Sequence, residues 1–227
     1  MDEDEARSWL EKHCNVSRET WRQLEAYTTL LLAESEQQNL IAASTREQIW
    51  ARHIVDSAQL LLLAPQVSAQ ENENTLPPLW IDLGSGAGLP GMVVAILSGY
   101  DVLMIEMRRK RAEFLNHVIL SLGLANAQVF CGKTERAETA HPAAVISARA
   151  YAPIERLIPS ALHLADFSTI WLLPKGQNHQ NELAIAERLW HCEASTQQSV
   201  TAADSAILRL SHVRRHGVRF GKAGGKA

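Results

Sequence analysis

The segment Ile81-Asp82-Leu83-Gly84-Ser85-Gly86-Ala87-Gly88-Leu89-Pro90-Gly91 holds the residues whose types and spacing point most directly to chemistry. It follows an apolar run, Leu79 to Leu83, and precedes a helix-like stretch. Glycines in such a turn tolerate positive φ and let a ligand approach the backbone. The helix start behind them offers N–H groups without intrahelical partners. A glycine turn at the carboxyl end of a strand is where open α/β sheets place nucleotides. Gly86, Gly88 and Gly91 satisfy G-x-G-x-x-G, a spacing that by itself also fits a dinucleotide. Glu106 ends the next apolar run, about twenty residues on, where a carboxylate accepts a pair of ribose hydroxyls in either kind of ligand.

Two features turn the reading towards S-adenosylmethionine. Asp82 stands two residues before the first glycine, where methyltransferases carry an acidic residue near the ligand's ammonium group. The run Gly84, Gly86, Gly88 also starts one step earlier than a dinucleotide loop needs. An NAD-dependent oxidoreductase would require a hydride-transfer pair such as Tyr-x-x-x-Lys, and none is evident. A methyltransferase of small molecules or proteins, and a non-catalytic nucleotide-binding module, stay open as alternatives.

Further charged groups stand where chemistry is done. Arg149 ends the apolar run 143–148, and a charge there needs a partner, so it reads as facing ligand or substrate. Lys175 ends the run 169–174 and reads as a contact to nucleic-acid phosphate or as a plain surface lysine. His53 and Asp56 are three apart and Arg52 and Asp56 four apart, neighbours on one helix face. That helix is expected to pack beside the glycine loop and shape the site. Asn39 reads as a hydrogen-bonding partner of the loop or base, or as a helix C-cap. Arg108, Arg109 and Arg111 open the helix after Glu106, and Arg214 and Arg215 begin a basic tail. Some of these read as RNA backbone contacts against a default of solvated charge.

The elements that position these residues follow from periodicity. Trp21, Leu24, Tyr27 or Thr28, and Leu31 form an apolar helical stripe. Ser44-Thr45-Arg46-Glu47 has the form of a capping box opening a second helix that Pro65 ends. Residues 66–78 read as a polar linker. After it, the apolar runs 79–83, 102–106, 127–131, 143–148, 169–174 and 206–213 alternate with helical stretches near 91–98, 108–122, 153–165 and 179–190. Apolar strands alternating with helices imply a parallel sheet covered on both faces, here a Rossmann-like α/β fold. The stretch from Cys192 to Val213 reads as a terminal antiparallel hairpin. The division expected is an N-terminal helical extension (1–78), a Rossmann-like core (79–213) and a basic tail (214–227).

Composition bounds the remainder. The chain has 227 residues, 46% hydrophobic, and a net charge of −3. That suits one large α/β domain. No apolar run has the length of a membrane span, and the acidic start MDEDEARSW does not read as a signal peptide. The three cysteines, Cys14, Cys131 and Cys192, have no zinc spacing and read as cytosolic thiols, so no metal is expected. No acidic residue follows Asp204, whereas Arg209, Arg214, Arg215, Arg219, Lys222 and Lys226 do.

Several segments together resemble the bacterial small-subunit ribosomal RNA guanine-N7 methyltransferases, the RsmG or GidB family. Gln38-Asn39-Leu40-Ile41 is similar to the family's Y-N-L-T, and Arg52-His53-Ile54-Val55-Asp56-Ser57 to its R-H-I-x-D-S. The glycine loop matches D-x-G-x-G-x-G-x-P-G, including Pro90-Gly91. Lys110-Arg111-Ala112-Glu113-Phe114-Leu115, Ser147-Ala148-Arg149-Ala150 and Pro174-Lys175-Gly176 resemble K-R-x-x-F-L, T-A-R-A and a strand-end K-G. The resemblance implies a class I methyltransferase fold with S-adenosylmethionine as cofactor. It implies transfer to guanine N7 in the 530 loop of 16S rRNA, near position 527. Carried over by motif, Gly84, Leu89, Thr134, Glu135 and Arg149 are ligand contacts, beside Asp82, Gly86, Gly88 and Glu106. Arg149, Asn39, His53 and Asp56 are expected at the reacting centre. The partner expected is 16S rRNA in the 30S subunit or an assembly intermediate. The protein is expected to be a cytoplasmic monomer with no obligate protein partner.

Overall fold

The computed structural model describes residues 1–67 and 76–216. Most of the expected linker, and Arg219, Lys222 and Lys226 of the tail, lie outside those residues. Helix α1 (Glu3–His13) begins with a capping box between Asp2 and Glu5. Helix α2 (Arg18–Ser35) begins at Ser17, whose side chain accepts from Thr20 N, and buries Leu24, Tyr27, Thr28 and Leu31 along the expected stripe.

The second helical segment differs from expectation. Residues Ala43–Gln48 form a 3₁₀ helix whose N-cap, Ala42, makes no side-chain cap. The capping box is not formed because Ser44 lies inside this helix and not at its N-cap; Thr45 Oγ1 bonds the Ala42 carbonyl (2.8 Å) and His53 Nε2 (2.8 Å). Trp50–Val55 is a π-helix, followed by a single α-helical turn, α3 (Asp56–Ala58), and a 3₁₀ turn, Gln59–Leu62.

The alternating pattern beyond residue 78 builds the expected sheet. Its elements are β1 (Leu79–Leu83), α4 (Gly91–Leu97), β2 (Asp101–Glu106), α5 (Arg109–Leu122) and β3 (Ala127–Cys131). There follow β4 (Val145–Ala148), α6 (Ile154–Ala161), β5 (Ile170–Lys175), α7 (His179–Leu189), β6 (Trp190–Gln198) and β7 (Ala206–Arg215). The strand order is β3-β2-β1-β4-β5-β7-β6, with β1 to β5 parallel and β7 antiparallel to β5 and β6. The expected terminal hairpin is therefore present.

Alternate strand residues face opposite layers, which is why the runs are apolar throughout. Trp80, Met104 and Leu172 pack with Leu24, Met92 and Leu115 on one side. Ile81, Ile105 and Trp171 pack with Ile154, Leu157 and Ala186 on the other.

Parallel register brings the ends of β1, β2 and β4 to one edge: Leu83 pairs with Ile105 and with Ala148. Lys175 at the end of β5 pairs with Ala206 at the start of β7, so the turn between β6 and β7 joins that edge. Arg214 and Arg215 are not tail residues. They lie inside β7 and pair with His191 and Trp190. Arg215 is nine residues from Ala206, roughly 30 Å along an extended strand, which puts it at the opposite edge of the sheet.

Candidate functional site

The glycine loop is anchored to β2. Gly84 N and Ser85 N donate to the Ile105 carbonyl at 2.8 and 3.2 Å. Gly84 has φ +65°, and a Cβ there would meet Tyr151 Cδ2 at 2.5 Å. Both the backbone and the Tyr151 ring therefore demand glycine. At Gly91 the demand is packing: a Cβ would lie 2.7 Å from Met104 Cγ and 3.0 Å from Asp82 Cβ, where α4 crosses close to the sheet.

Glu106 does more at the loop than the spacing suggested. Its Oε2 accepts from Gly86 N (2.9 Å) and its Oε1 from Arg108 N (2.7 Å), so one carboxylate ties the loop to the start of α5. Beside it opens a cavity of about 360 Å³, bordered by Gly84, Glu106, Met107, Thr134, Glu135 and Tyr151. Thr134 is buried with its Oγ1 2.9 Å from the Tyr151 hydroxyl, while Glu135 is exposed at the rim.

Asp82 departs from the expected direct contact with a ligand. It is wholly buried beneath the loop, where Oδ1 accepts from Ser147 Oγ (2.8 Å) and Oδ2 from Gly91 N (3.2 Å). Burial pushes its carboxyl up to about 6, against the opposing hydrogen bonds and the charge of Arg149. Its position supports the loop from below. Leu89 is likewise buried in the core, so only its backbone is available to a ligand. Gly88 packs under the loop against Leu115, Met92 and the Tyr27 hydroxyl, and that hydroxyl donates to the Ala87 carbonyl (2.9 Å).

Across Tyr151 and Ala150 lies a second cavity of about 490 Å³. Arg149, directly after β4, reaches into its wall and brings three expected residues together. Its Nη1 lies 3.3 Å from Asp56 Oδ2 and 3.4 Å from His53 Nδ1. His53 is buried, with Nε2 against Thr45 Oγ1. Burial first, then the charges of Arg149 and Arg52, hold its pKa down at about 3. The imidazole is thus neutral near pH 7. Thr45 Oγ1 donates to a carbonyl and Arg149 can only donate, so the partners assign the proton to Nε2.

Asp56 is the hub of the wall. Its Oδ1 accepts from Thr201 Oγ1 (2.8 Å) and Gln59 Nε2 (3.0 Å). Gln59 in turn accepts from Val200 N (3.0 Å) and donates to Ser199 Oγ (3.2 Å), fastening the β6–β7 turn to the site. Arg52 and Asp56, spaced as neighbours on one helix face, do not pair with each other: Arg52 donates to the Thr201 carbonyl (3.4 Å) and Asp56 pairs with Arg149. The wider π-helical turn no longer stacks residues four apart.

The remaining sites fall further out. Lys175 is neither a bare surface lysine nor a free phosphate contact. Its Nζ pairs with Glu182 at 2.9 Å, and Glu182 also accepts from Ile154 N. Asn39 is exposed and lies past the C-cap of α2, which is Glu36. Its contact is with α5 and not with the glycine loop: its backbone carbonyl accepts from Arg111 (3.1 Å). Arg108 and Arg111 border the smaller cavity, whereas Arg109 is exposed outside its lining and paired with Glu113 at 2.8 Å. Arg214 and Arg215 are remote from both cavities. Sequence reasoning missed Tyr151, Gln59, Ser199 and Thr201. An aromatic residue directly after Arg149-Ala150 was the one available signal; the other three carry none. Among the described residues, no group of three His, Cys, Asp or Glu side chains could hold a metal ion, and no helix is long and apolar enough to cross a membrane.

Comparison with known proteins bears on this geometry. The sequence matches the family model GidB, rRNA small subunit methyltransferase G, over residues 20–211. It is 50% identical over 207 residues to the ribosomal RNA small subunit methyltransferase G of Sphingopyxis alaskensis, covering 91% of this chain and 85% of the relative. It is 42% identical over 224 residues to that of Zymomonas mobilis, covering 98% and 99%. Among solved structures, the YcgJ protein of Bacillus subtilis superposes with a TM-score of 0.52 at 13% identity, covering 73% of this chain and 100% of that one. TYW2 of P. horikoshii in complex with MeSAdo gives 0.50 at 14% identity, covering 70% and 61%. These two likenesses bear on the fold.

Proposed function

Because the chain belongs to the GidB family of small-subunit ribosomal RNA methyltransferases, and transfers a methyl group from S-adenosylmethionine to a guanine N7 of 16S rRNA, we propose that its two cavities divide the reaction between cofactor and base. The observation that carries this reading is their shared border: Ala150 and Tyr151 line both.

The smaller cavity has the donor set for an adenosyl ligand. Glu106 keeps lone pairs free beyond its two backbone bonds, enough to accept ribose hydroxyls. Met107 is 62% exposed at its border and offers apolar surface to a purine. Gly84 borders the cavity with the Tyr151 ring packed on it, Gly86 leaves the loop backbone open to closer approach, Leu89 contributes through its backbone, and Thr134 and Glu135 border the far side. Asp82 acts through the loop it supports. The bound cofactor supplies an electrophilic methyl group on a sulfonium.

The larger cavity takes the base. Guanine N7 holds a free lone pair at neutral pH, so no residue has to remove a proton. The protein's work is to align the base and exclude water. Arg149 presents its guanidinium to the cavity, held by Asp56 and neutral His53. As N7 is alkylated the purine becomes cationic, and the Asp56 carboxylate and the Tyr151 ring are the groups at hand to stabilise that charge. N7 lies on an edge that A-form RNA hides, so the base enters unpaired or flipped from its stack. Arg108 and Arg111 at the border of the smaller cavity, with exposed Arg109 next to them, meet RNA phosphates as the strand approaches. The substrate form we assign is the 530 loop in a 30S subunit or assembly intermediate, methylated by a monomer in the cytoplasm.

The test is transfer from radiolabelled S-adenosylmethionine to undermethylated 30S subunits, free 16S rRNA and total protein, with the modified nucleotide mapped. The expected product is 7-methylguanosine in the 530 loop, with 30S preferred. Label at another nucleotide, or in protein alone, would overturn the assignment.

A further inference from the structure

Arg52, His53, Asp56 and Gln59 all stand on the segment that starts as the π-helix Trp50–Val55. The first turn of any helix leaves its N–H groups without intrahelical acceptors, and an anion there is favoured. Here no residue of the segment's own N-terminus caps it. The acceptor comes from elsewhere. Glu3, in the first turn of α1, places Oε2 3.2 Å from Trp50 N and Oε1 3.2 Å from Ala51 N. One carboxylate thus spans two successive N–H groups 47 and 48 residues away.

A second contact fixes the same point. Arg7, one turn along α1, lays its guanidinium 4.1 Å from the centre of the Trp50 ring and 5.6 Å from that of Trp21. Its Nη1 is held by Glu25 of α2 at 3.1 Å. Ala6 and Leu10 bury the inner face of α1 completely. Glu3 and Arg7 therefore grip the entrance of the segment from its backbone and its first side chain. The capping of α1 itself is done by Asp2 and Glu5, so Glu3 is not needed there. Helix α1 also lies before residue 20, outside the part of the chain that matches the family model.

We propose that Glu3 is a positioning residue for methyl transfer: its carboxylate sets the turn of the π-helical segment, and thereby the placement of Arg52, His53 and Asp56 against Arg149. This rests on the reading of the larger cavity as the site of the base. The wide turn is what frees Asp56 from Arg52 and aims it at Arg149, and a shift of one peptide at Trp50 would propagate along that segment. The cofactor cavity is bordered by the ends of β1, β2 and β4, the start of α5 and the turn at Thr134, whereas the hydrogen bonds of Glu3 go to Trp50 and Ala51. A loss of Glu3 should therefore fall on the RNA side of the reaction alone.

The experiment compares full-length wild type, Glu3→Ala, Arg7→Leu and the exposed α1 control Glu11→Gln. It measures amide hydrogen exchange at Trp50 and Ala51, S-adenosylmethionine affinity, thermal midpoint, and kcat and KM for undermethylated 30S. Glu3→Ala should speed exchange at the two amides and lower kcat/KM for 30S by about tenfold, as small misplacements in an aligned site do. Cofactor affinity should stay within about twofold, a change of about 0.4 kcal/mol. Arg7→Leu should follow in the same direction, and Glu11→Gln should match wild type. Unchanged kcat/KM despite faster exchange would overturn the proposal. So would a fall in cofactor affinity and thermal midpoint parallel to that in activity, which marks general loosening. If wild type itself leaves 30S unmethylated while binding cofactor, the base-site reading has failed instead, and the exchange data separate the two.

Discussion

The Arg149 guanidinium lies 3.3 Å from the Asp56 carboxylate, joining the end of β4 to a helical turn 93 residues earlier. Both side chains are largely covered, 23% and 20% exposed, so each would be left with a poorly solvated charge if the other were removed. Arg149→Ala should lower methyl transfer by about 10²-fold while cofactor binding changes by less than about threefold. A double-mutant cycle with Asp56→Ala should return a coupling of about 1–3 kcal/mol in stability. Additive effects in denaturant titrations would show that the pair is not coupled.

Gly84 and Tyr151 form a second pair with a separable penalty. Gly84→Ala puts a side chain at φ +65° and 2.5 Å from the Tyr151 ring. The backbone part should cost about 1–2 kcal/mol. The ring must also move, so cofactor affinity should drop by more than about tenfold. In a Tyr151→Ala background the steric part should vanish and only the backbone part remain. Equal destabilisation in both backgrounds, by chemical denaturation, would remove Tyr151 from the account.

His53 sets an acid limit on stability. Its folded pKa is about 3 against an ordinary 6.5, chiefly through burial. Between these values the unfolded chain binds a proton that the native one does not. Native stability should therefore fall as pH drops from about 6.5 towards 3. Asp82 acts in the opposite sense: its carboxyl, raised to about 6 by burial, contributes stability below its ordinary 3.8 and loses it as pH rises through about 6. His53→Gln should flatten the fall in urea midpoint between pH 7 and 4.5, and Asp82→Asn should steepen it. An unaltered slope in His53→Gln would show that His53 is protonated without cost.

The basic residues should separate by position. Arg108→Ala, at the border of the cofactor cavity, and Arg109→Ala, exposed next to it at the start of α5, should each weaken RNA binding and lower the log K against log salt slope by about 1. Arg214→Ala and Arg215→Ala, at the far end of β7, should change the slope less. Anisotropy titrations with 16S rRNA between 50 and 200 mM salt, as a working range, read this directly. Equal slopes for all four would mean that RNA wraps to the opposite edge of the sheet.

What the sequence by itself determined is local. The loop 84–91 needs only adjacent glycines, a preceding strand and a following helix, all of which are read from neighbouring residues. The strands from β1 to β5 follow from uninterrupted apolar runs, and Glu106 from its place at the end of one. The family motifs pointed to Arg149, His53 and Asp56, yet not to their mutual arrangement. Tertiary structure decided that Asp56 meets Arg149 and not Arg52, because a π-helical turn re-aims side chains whose spacing suggests an α-helix. It decided that Asp82 lies under the loop, since α4 crosses close enough at Gly91 to cover it. It also took Lys175 for Glu182 and carried Arg214 and Arg215 to the far edge. Each of these depends on which strands become neighbours and which way they run. Such contacts join residues tens of positions apart, and no periodicity within a segment records them.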